Sequence, residues 1–228
     1  EKSYTLGREN PLCVSGSFST VSSGIAPLRL SFPSEDPMSI SLSKGRGISL
    51  TKAAPGLSIV QAGLGWDPRT TAGMAFDLDA SALVCDANGR CIDESWFIFY
   101  NQLASPNNAI VHGGDNPDGS GEGDDEVITV TLAMIPPQAQ RVVFAVSIHE
   151  GELRRQSFGQ VQNSYIRILD TMSGTEIARY DLVEDFSNET SVVFGELVRS
   201  GSDWIFQAVG QGYPGGLGGL ISHFGLSA

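Results

Sequence analysis

Over most of the chain, short apolar runs with a period of two alternate with turn residues, the pattern of an all-β sandwich and not of βαβ units. Candidate strands fall at residues 48–51, 58–64, 75–84, 96–101, 127–134, 141–149, 165–169, 177–182, 191–199 and 204–209. Asn88-Gly89, Ser173-Gly174 and Ser200-Gly201 separate some of them as hairpin turns, because glycine accepts a positive φ without strain. Residues 152–161 lack β-branched side chains until their end and read as a short helix. The glycine-rich stretch 210–219 reads as a loop. The expected fold is a sandwich of two antiparallel sheets with one or two short helices.

Residues 1–43 break the pattern, with eleven serines, four prolines and only short alternating pieces such as 38–42. They predict an N-terminal extension, either laid across the domain as one or two edge strands or partly disordered, ahead of a single domain at 44–228. The chain has 228 residues, is 41% hydrophobic and carries a net charge of −12. That is enough apolar matter for one core. The charge excludes a nucleic-acid partner, which would require surplus Lys and Arg, and favours cations. Runs such as 142–148 are too short to span a bilayer, so the chain reads as soluble and cytoplasmic. Cys13, Cys85 and Cys91 are too few for a disulfide scaffold. Cys85 and Cys91 flank an Asn-Gly turn and are placed to face each other on paired strands, read as free thiols.

The acidic charge is concentrated. Residues 113–126 read GGDNPDGSGEGDDE and hold Asp115, Asp118, Glu122, Asp124, Asp125 and Glu126 with no basic residue, half of the chain's net charge. Two carboxylates about 5 Å apart repel by roughly 0.8 kcal/mol in water and several-fold more where the effective dielectric is about 20. Folding six together calls for a cation. Ca²⁺ accepts six to eight hard oxygen ligands in flexible geometry, backbone carbonyls included, and the five glycines let the backbone present them. An EF-hand fits only at its ends: Asp115 and Glu126 take the first and last positions, but Pro117, Gly119 and Ser120 fail at the interior, and strands flank the loop. In 75–81, alternation places Phe76, Leu78 and Ala80 on one face and Asp77, Asp79 and Ser81 on the other. Asn101 and Glu150, at strand ends, add oxygen donors.

Several stretches together resemble the TerD family of tellurium-resistance and calcium-binding stress proteins: GISLTKAAPGL at 47–57, GLGWDPRT at 63–70, FDLDASA at 76–82, FIFYNQLASP at 97–106, HGGDNPDGSGEGDDE at 112–126, IHEGELRRQSFGQVQNSYIRI at 148–168, EIARYDL at 176–182 and FGELVRSGSDWIFQAVGQGYPGGL at 194–217. The resemblance implies a β-sandwich binding two or more Ca²⁺ ions through acidic loops gathered at one side. Residue by residue, Asp77 and Asp79 match the aspartates of FDLD, and Asn101 the asparagine of FYN. Asp115, Asn116, Gly119, Gly121, Asp124, Asp125 and Glu126 match the acidic-loop signature. Asp67 and Glu150 lie in family motifs as weaker ligand candidates. Ser120 replaces a residue that is often acidic, and Pro117 stiffens the loop.

No G-x-S-x-G elbow, phosphate-loop lysine motif or H-E-x-x-H is present. His149 reads as a hydrogen-bonded structural residue, and Arg154 and Arg155 as salt-bridging partners. The function expected is therefore non-catalytic: a calcium-binding stress-response protein whose ions order acidic loops into an interaction surface. The alternative is a scaffold that self-associates or joins a membrane-linked stress complex. The resemblance implies TerC-type membrane proteins and other stress-operon products as partners, at the inner face of the membrane. A metal-dependent hydrolase using Asp77 and Asp79 is a third reading.

Overall fold

A computed structural model describes residues 39–69, 73–120 and 123–227. Their strands form two six-stranded sheets. The first contains β1 (Ile40–Ser41), β3 (Ile59–Gly65), β6 (Ile110–His112), β7 (Glu126–Thr131), β9 (Tyr165–Asp170) and β10 (Glu176–Asp181), in the order β1-β10-β9-β3-β7-β6. The second contains β2 (Gly47–Ser49), β4 (Leu78–Cys85), β5 (Phe97–Ile98), β8 (Arg141–Ile148), β11 (Ser191–Ser200) and β12 (Asp203–Tyr213), in the order β2-β12-β11-β8-β4-β5. The all-β sandwich expected from the periodicity is the fold observed. One pairing departs from it: β1 runs parallel to β10 at the edge of the first sheet. Of the expected extension 1–43, only 39–43 are described, and Ile40–Ser41 is that edge strand.

The inward faces make the core. Leu64, Ile128, Ile166 and Tyr180 of the first sheet meet Leu78, Phe144, Phe194 and Phe206 of the second, all essentially without solvent contact. Strand β7 shows the alternation most cleanly, buried at Glu126, Ile128 and Val130 and half-buried between. Strands β4 and β8 are buried on both faces. Their outer side chains Leu83, Cys85, Val143 and Ala145 lie in a second apolar layer with Leu220, Ile221 and Phe224.

That layer identifies the element the sequence pattern concealed. The stretch 210–219 is not a loop: β12 continues to Tyr213, and α3 (Gly216–His223) follows. Glycine disfavours helix by about 1 kcal/mol per residue. Leu217, Leu220, Ile221 and Phe224 nevertheless recur at helical spacing and land on the outer face of the second sheet. At roughly 1.5–3 kcal/mol per buried large side chain, the three buried members outweigh that propensity penalty. Gly219 is needed for the fit, since a Cβ there would stand 2.2 Å from the Pro214 carbonyl oxygen.

Other elements shift locally. The expected strand 48–51 ends at Ser49, whose hydroxyl caps the Lys52 N–H and starts α1 (Leu50–Ala53). The expected strand 96–101 shrinks to β5, followed by a tight turn in which Phe99 and Gln102 exchange backbone hydrogen bonds. The expected helix 152–161 resolves into α2 (Gly151–Arg154) and a 3₁₀ turn, Phe158–Gln160. All three predicted hairpin turns form, with Gly89, Gly174 and Gly201 at φ of 76°, 71° and 63°.

Candidate metal centre

The lead-in to β4 and the loop before β7 meet at one end of the sandwich. Asp77, Asp79 and Asp115 each direct a carboxylate oxygen to a common point, the three atoms lying within 4.8 Å of one another. Asp79 is 7% exposed and sits on the outer face of β4, with Ser81, as the alternation required. Phe76, Leu78 and Ala80 occupy the core face. Asp77 precedes the strand, and its carbonyl accepts the His149 N–H at 2.8 Å. Burial, with the neighbouring charge of Asp77, pushes the Asp79 carboxyl up to about 7, against an opposing pull from His149. His149 Nδ1 stands 3.6 Å from Asp79 Oδ2.

Glu126 closes the gap between the sheets. Strand β5 pairs with β4 only at Ala82 and Leu83, which leaves the Ala80 backbone edge without a strand partner. Glu126 Oε2 accepts the Ala80 N–H at 2.5 Å, and Glu126 Oε1 accepts the Asn116 N–H at 3.2 Å. His112 completes the clamp: its Nδ1 accepts the Gly114 N–H at 3.1 Å, so its Nε2 carries the proton and donates to Ala80 O at 3.1 Å. This is a neutral imidazole, consistent with burial holding His112 below its ordinary pKa. Glu126 is 2% exposed, and burial pushes its carboxyl up to about 8, against the backbone hydrogen bonds from Ala80 and Asn116. His112, just before the acidic run, is a member of the site that the reading of carboxylates missed.

The loop has its own scaffold. Asn116 Oδ1 accepts the N–H groups of Asp118 and Gly119 at 3.4 and 3.2 Å, and Asn116 Nδ2 donates to Asp125 Oδ1 at 3.2 Å. Asp125 Oδ2 accepts the Trp66 N–H at 2.8 Å. Burial raises the Asp125 carboxyl pKa, opposed by that bond. Gly119, at φ +68°, lies against the Trp66 indole.

Not every predicted ligand joins the cluster. Asp124 is turned to the outer face of the first sheet, where Arg167 Nε donates to its Oδ1 at 2.7 Å and Arg167 Nη2 to its Oδ2 at 3.1 Å. Tyr165 adds its hydroxyl at 3.0 Å. Gly63 leaves the space, for a Cβ there would meet the Asp124 carboxylate. Asp67 accepts from Asn163 Nδ2 at 2.6 Å. Glu150, left-handed at φ 50°, pairs with Arg154, which also reaches Asp77 Oδ2 at 3.4 Å. Asn101 is exposed in the turn beside Tyr100. The Tyr100 hydroxyl is pushed up by burial and by the field of Asp79, Asp115 and Asp77, which places it beside the cluster. Gly121 lies outside the described residues.

The converging groups are carboxylates, the donor set of a hard cation and not of a soft or imidazole-seeking one. A carboxylate pushed up to about 7 by burial first, and by a neighbouring carboxylate second, is short of positive charge, which a cation could supply. The cluster of Asp77, Asp79 and Asp115 could thus hold a metal ion.

A β-sandwich whose sheets are bridged beside a three-aspartate cluster defines the class. The TerD domain family model matches residues 38–224, and the chain belongs to the TerD family. It is 50% identical over 191 residues to "Tellurium resistance protein TerD" of Serratia marcescens, covering 84% of this chain and 100% of that one. It is 48% identical over 190 residues to "General stress protein 16U" of Bacillus subtilis, covering 83% and 98%. A solved homologue of telluride resistance protein (TerD) from Streptomyces coelicolor shares the fold, with TM-score 0.62 and 22% identity over 76% of this chain and 100% of that one. No helix among the described residues is long and apolar enough to cross a membrane.

Proposed function

We propose that this protein is a non-catalytic calcium-binding member of the tellurium-resistance and stress-response group, whose ions hold the acidic loops as an interaction surface. The observation that carries the reading is the convergence of Asp77, Asp79 and Asp115 across two segments. Asp115 belongs to the loop that leads into the first sheet, Asp77 and Asp79 to the second. An ion shared among them would fasten the loop across the end of the sandwich.

Calcium suits the donors better than magnesium. Opposed ligands on Ca²⁺ stand roughly 5 Å apart, against about 4 Å on Mg²⁺, which also demands near-ideal octahedral geometry and sheds water reluctantly. The three oxygens, all within 4.8 Å of one another, admit either spacing, and the glycine-rich loop that supplies Asp115 suits the adaptable geometry of Ca²⁺. Next to the cluster, a cleft of about 330 Å³ is lined by Asp79, Tyr100, His149, Glu150 and Leu153. Leu153 is 83% exposed there, an apolar contact at the rim of a charged site. That combination suits protein docking, with a TerC-type membrane protein or another stress protein as the partner class. The non-catalytic reading rests on the carboxylates being gathered to share an ion.

Saturation at a hundredfold over Kd stabilises a protein by about 2.7 kcal/mol per site. The melting temperature in Ca²⁺ should therefore exceed that in EGTA, with slower hydrogen exchange over 113–126. Calorimetry counts the ions: a stoichiometry of one confines binding to the three-aspartate cluster, and two or more requires a further site in the loop. No difference between Ca²⁺ and EGTA sinks the proposal, as does an equal response to Mg²⁺. A hydrolytic activity lost in Asp79→Asn would overturn the non-catalytic part.

A further inference from the structure

Away from the acidic end, Cys85 at the end of β4 and Cys91 face each other across the intervening turn as an antiparallel bridge. The Asp86 N–H donates to Arg90 O at 2.8 Å and the Ile92 N–H to Val84 O at 3.0 Å, one bond on each side of the pair. The cysteines' own groups point elsewhere: Cys91 N–H donates to Phe224 O at 2.9 Å, and Cys85 O accepts from Gln140 N–H at 2.8 Å. This is a non-hydrogen-bonded pair, the kind in which Cα atoms approach to about 4.5 Å with both side chains on one face. A disulfide needs Cα atoms roughly 4.4–6.8 Å apart. Both residues are free thiols, and both side chains belong to the apolar layer beneath α3 with Leu83 and Phe224. Each sulfur makes only a weak bond to a nearby carbonyl, Cys85 to Leu83 at 3.8 Å and Cys91 to Asp93 at 3.3 Å.

We propose that Cys85 and Cys91 form a thiol modification site that closes to a cross-strand disulfide by exchange with a small-molecule disulfide. The order of attack follows from access. Cys85 is fully buried and Cys91 half-buried, so Cys91 meets the reagent first. Its thiolate attacks one sulfur of RSSR, forming a mixed disulfide and releasing RS⁻, which takes up the Cys91 proton. The Cys85 sulfur then attacks the Cys91 sulfur, forming the internal disulfide and expelling the second RS⁻, which takes up the Cys85 proton. Two protein thiols are oxidised and one RSSR is reduced to two RSH. Burial raises both thiol pKa values, so thiolate is scarce at neutral pH and closure is slow. Once formed, the bond staples the hairpin and, through the Cys91–Phe224 contact, the end of α3.

The test uses the full chain, folded, at pH 8 with oxidised glutathione, followed by thiol blocking and trypsin. Cleavage after Arg90 separates the two cysteines, so a Cys85–Cys91 bond appears as two joined peptides. Expected are these joined peptides in both wild type and Cys13→Ser, two fewer free thiols, and slower hydrogen exchange over 86–91. A reaction that stops at a glutathione adduct on Cys91 overturns the proposal. So does pairing of either residue with Cys13, or the absence of any reaction in the folded protein. The readout needs no Cys85 or Cys91 variant to fold.

Discussion

A cation entering between Asp77, Asp79 and Asp115 would displace the proton that Asp79 holds, which makes the proposed calcium binding a proton-release reaction of predictable size. With Asp79 held up to about 7, it is half protonated at pH 7, about nine-tenths protonated at pH 6 and about one-tenth at pH 8. Ion binding should release at least those fractions of a proton. Glu126 adds to them, because its own carboxyl, pushed up to about 8, feels the charge of Asp79 that the ion neutralises. The apparent affinity should weaken about fivefold between pH 7 and 6, and about tenfold more by pH 5. Titration calorimetry in two buffers of different ionisation enthalpy reads the proton count directly from the difference in heat. Asp79→Asn should abolish the release from that site along with most of the affinity. Identical heats in both buffers at pH 6 and 7 would refute the placement of the ion, as would an Asp79→Asn variant that still releases the same fraction.

In EGTA, melting temperature should fall as pH rises from 5 to 8.5: Asp79 and Glu126 are acids whose folded pKa values lie above the unfolded ones, so the fold binds more protons and their contribution, largest below pH 4, is lost through pH 7 to 8. A metal-free protein that is most stable at pH 8.5 would contradict this. Arg167→Ala leaves the Asp124 carboxylate, only 5% exposed, with the Tyr165 hydroxyl but without its charged partner, and should destabilise by about 3 kcal/mol in chemical unfolding while calcium stoichiometry stays unchanged. A lost ion would mean that Asp124 is a ligand after all. Gly119→Ala forces a side chain into φ +68° with its Cβ 2.3 Å from the Trp66 indole nitrogen, and should cost about 1–3 kcal/mol and weaken calcium binding, both read in one thermal titration with calcium.

The sandwich was legible because its signal is redundant: alternation in 126–131, turn glycines at 89, 174 and 201, and apolar runs at 141–148 agree with one another. Where two local signals conflict, the tertiary contact decides. Four glycines within 215–219 argue for a loop, and only the outer face of the second sheet makes Leu217, Leu220, Ile221 and Phe224 a helix. An edge strand from the extension is among the expectations, and Ile40–Ser41 is one, but its partner and parallel direction were not legible, because two residues carry too little periodicity to specify either.

The candidate site divides along the same line, between what a sequence counts and what a fold points. Acidic density marks the loop correctly as a place of excess charge, but it gives Asp115, Asp124, Asp125 and Glu126 equal standing. The fold sends them four ways. Asp115 turns to Asp77 and Asp79, Asp124 to Arg167 across the space left by Gly63, Asp125 to the Trp66 backbone and Asn116, and Glu126 to the Ala80 edge of the opposite sheet. Neither the Arg167 guanidinium nor the Ala80 amide is visible in the run itself, since Arg167 lies 43 residues beyond Asp124 and Ala80 lies 46 before Glu126. The consequence is a division of labour within one acidic signature. Asp124 and Glu126 join β-strands through an arginine and a backbone amide, while Asp77, Asp79 and Asp115 gather where a cation could sit. Substituting the first pair should therefore disturb folding at any calcium level, whereas Asp79→Asn should lower stability only when calcium is present and, in EGTA above pH 7, should relieve a buried charge and raise it.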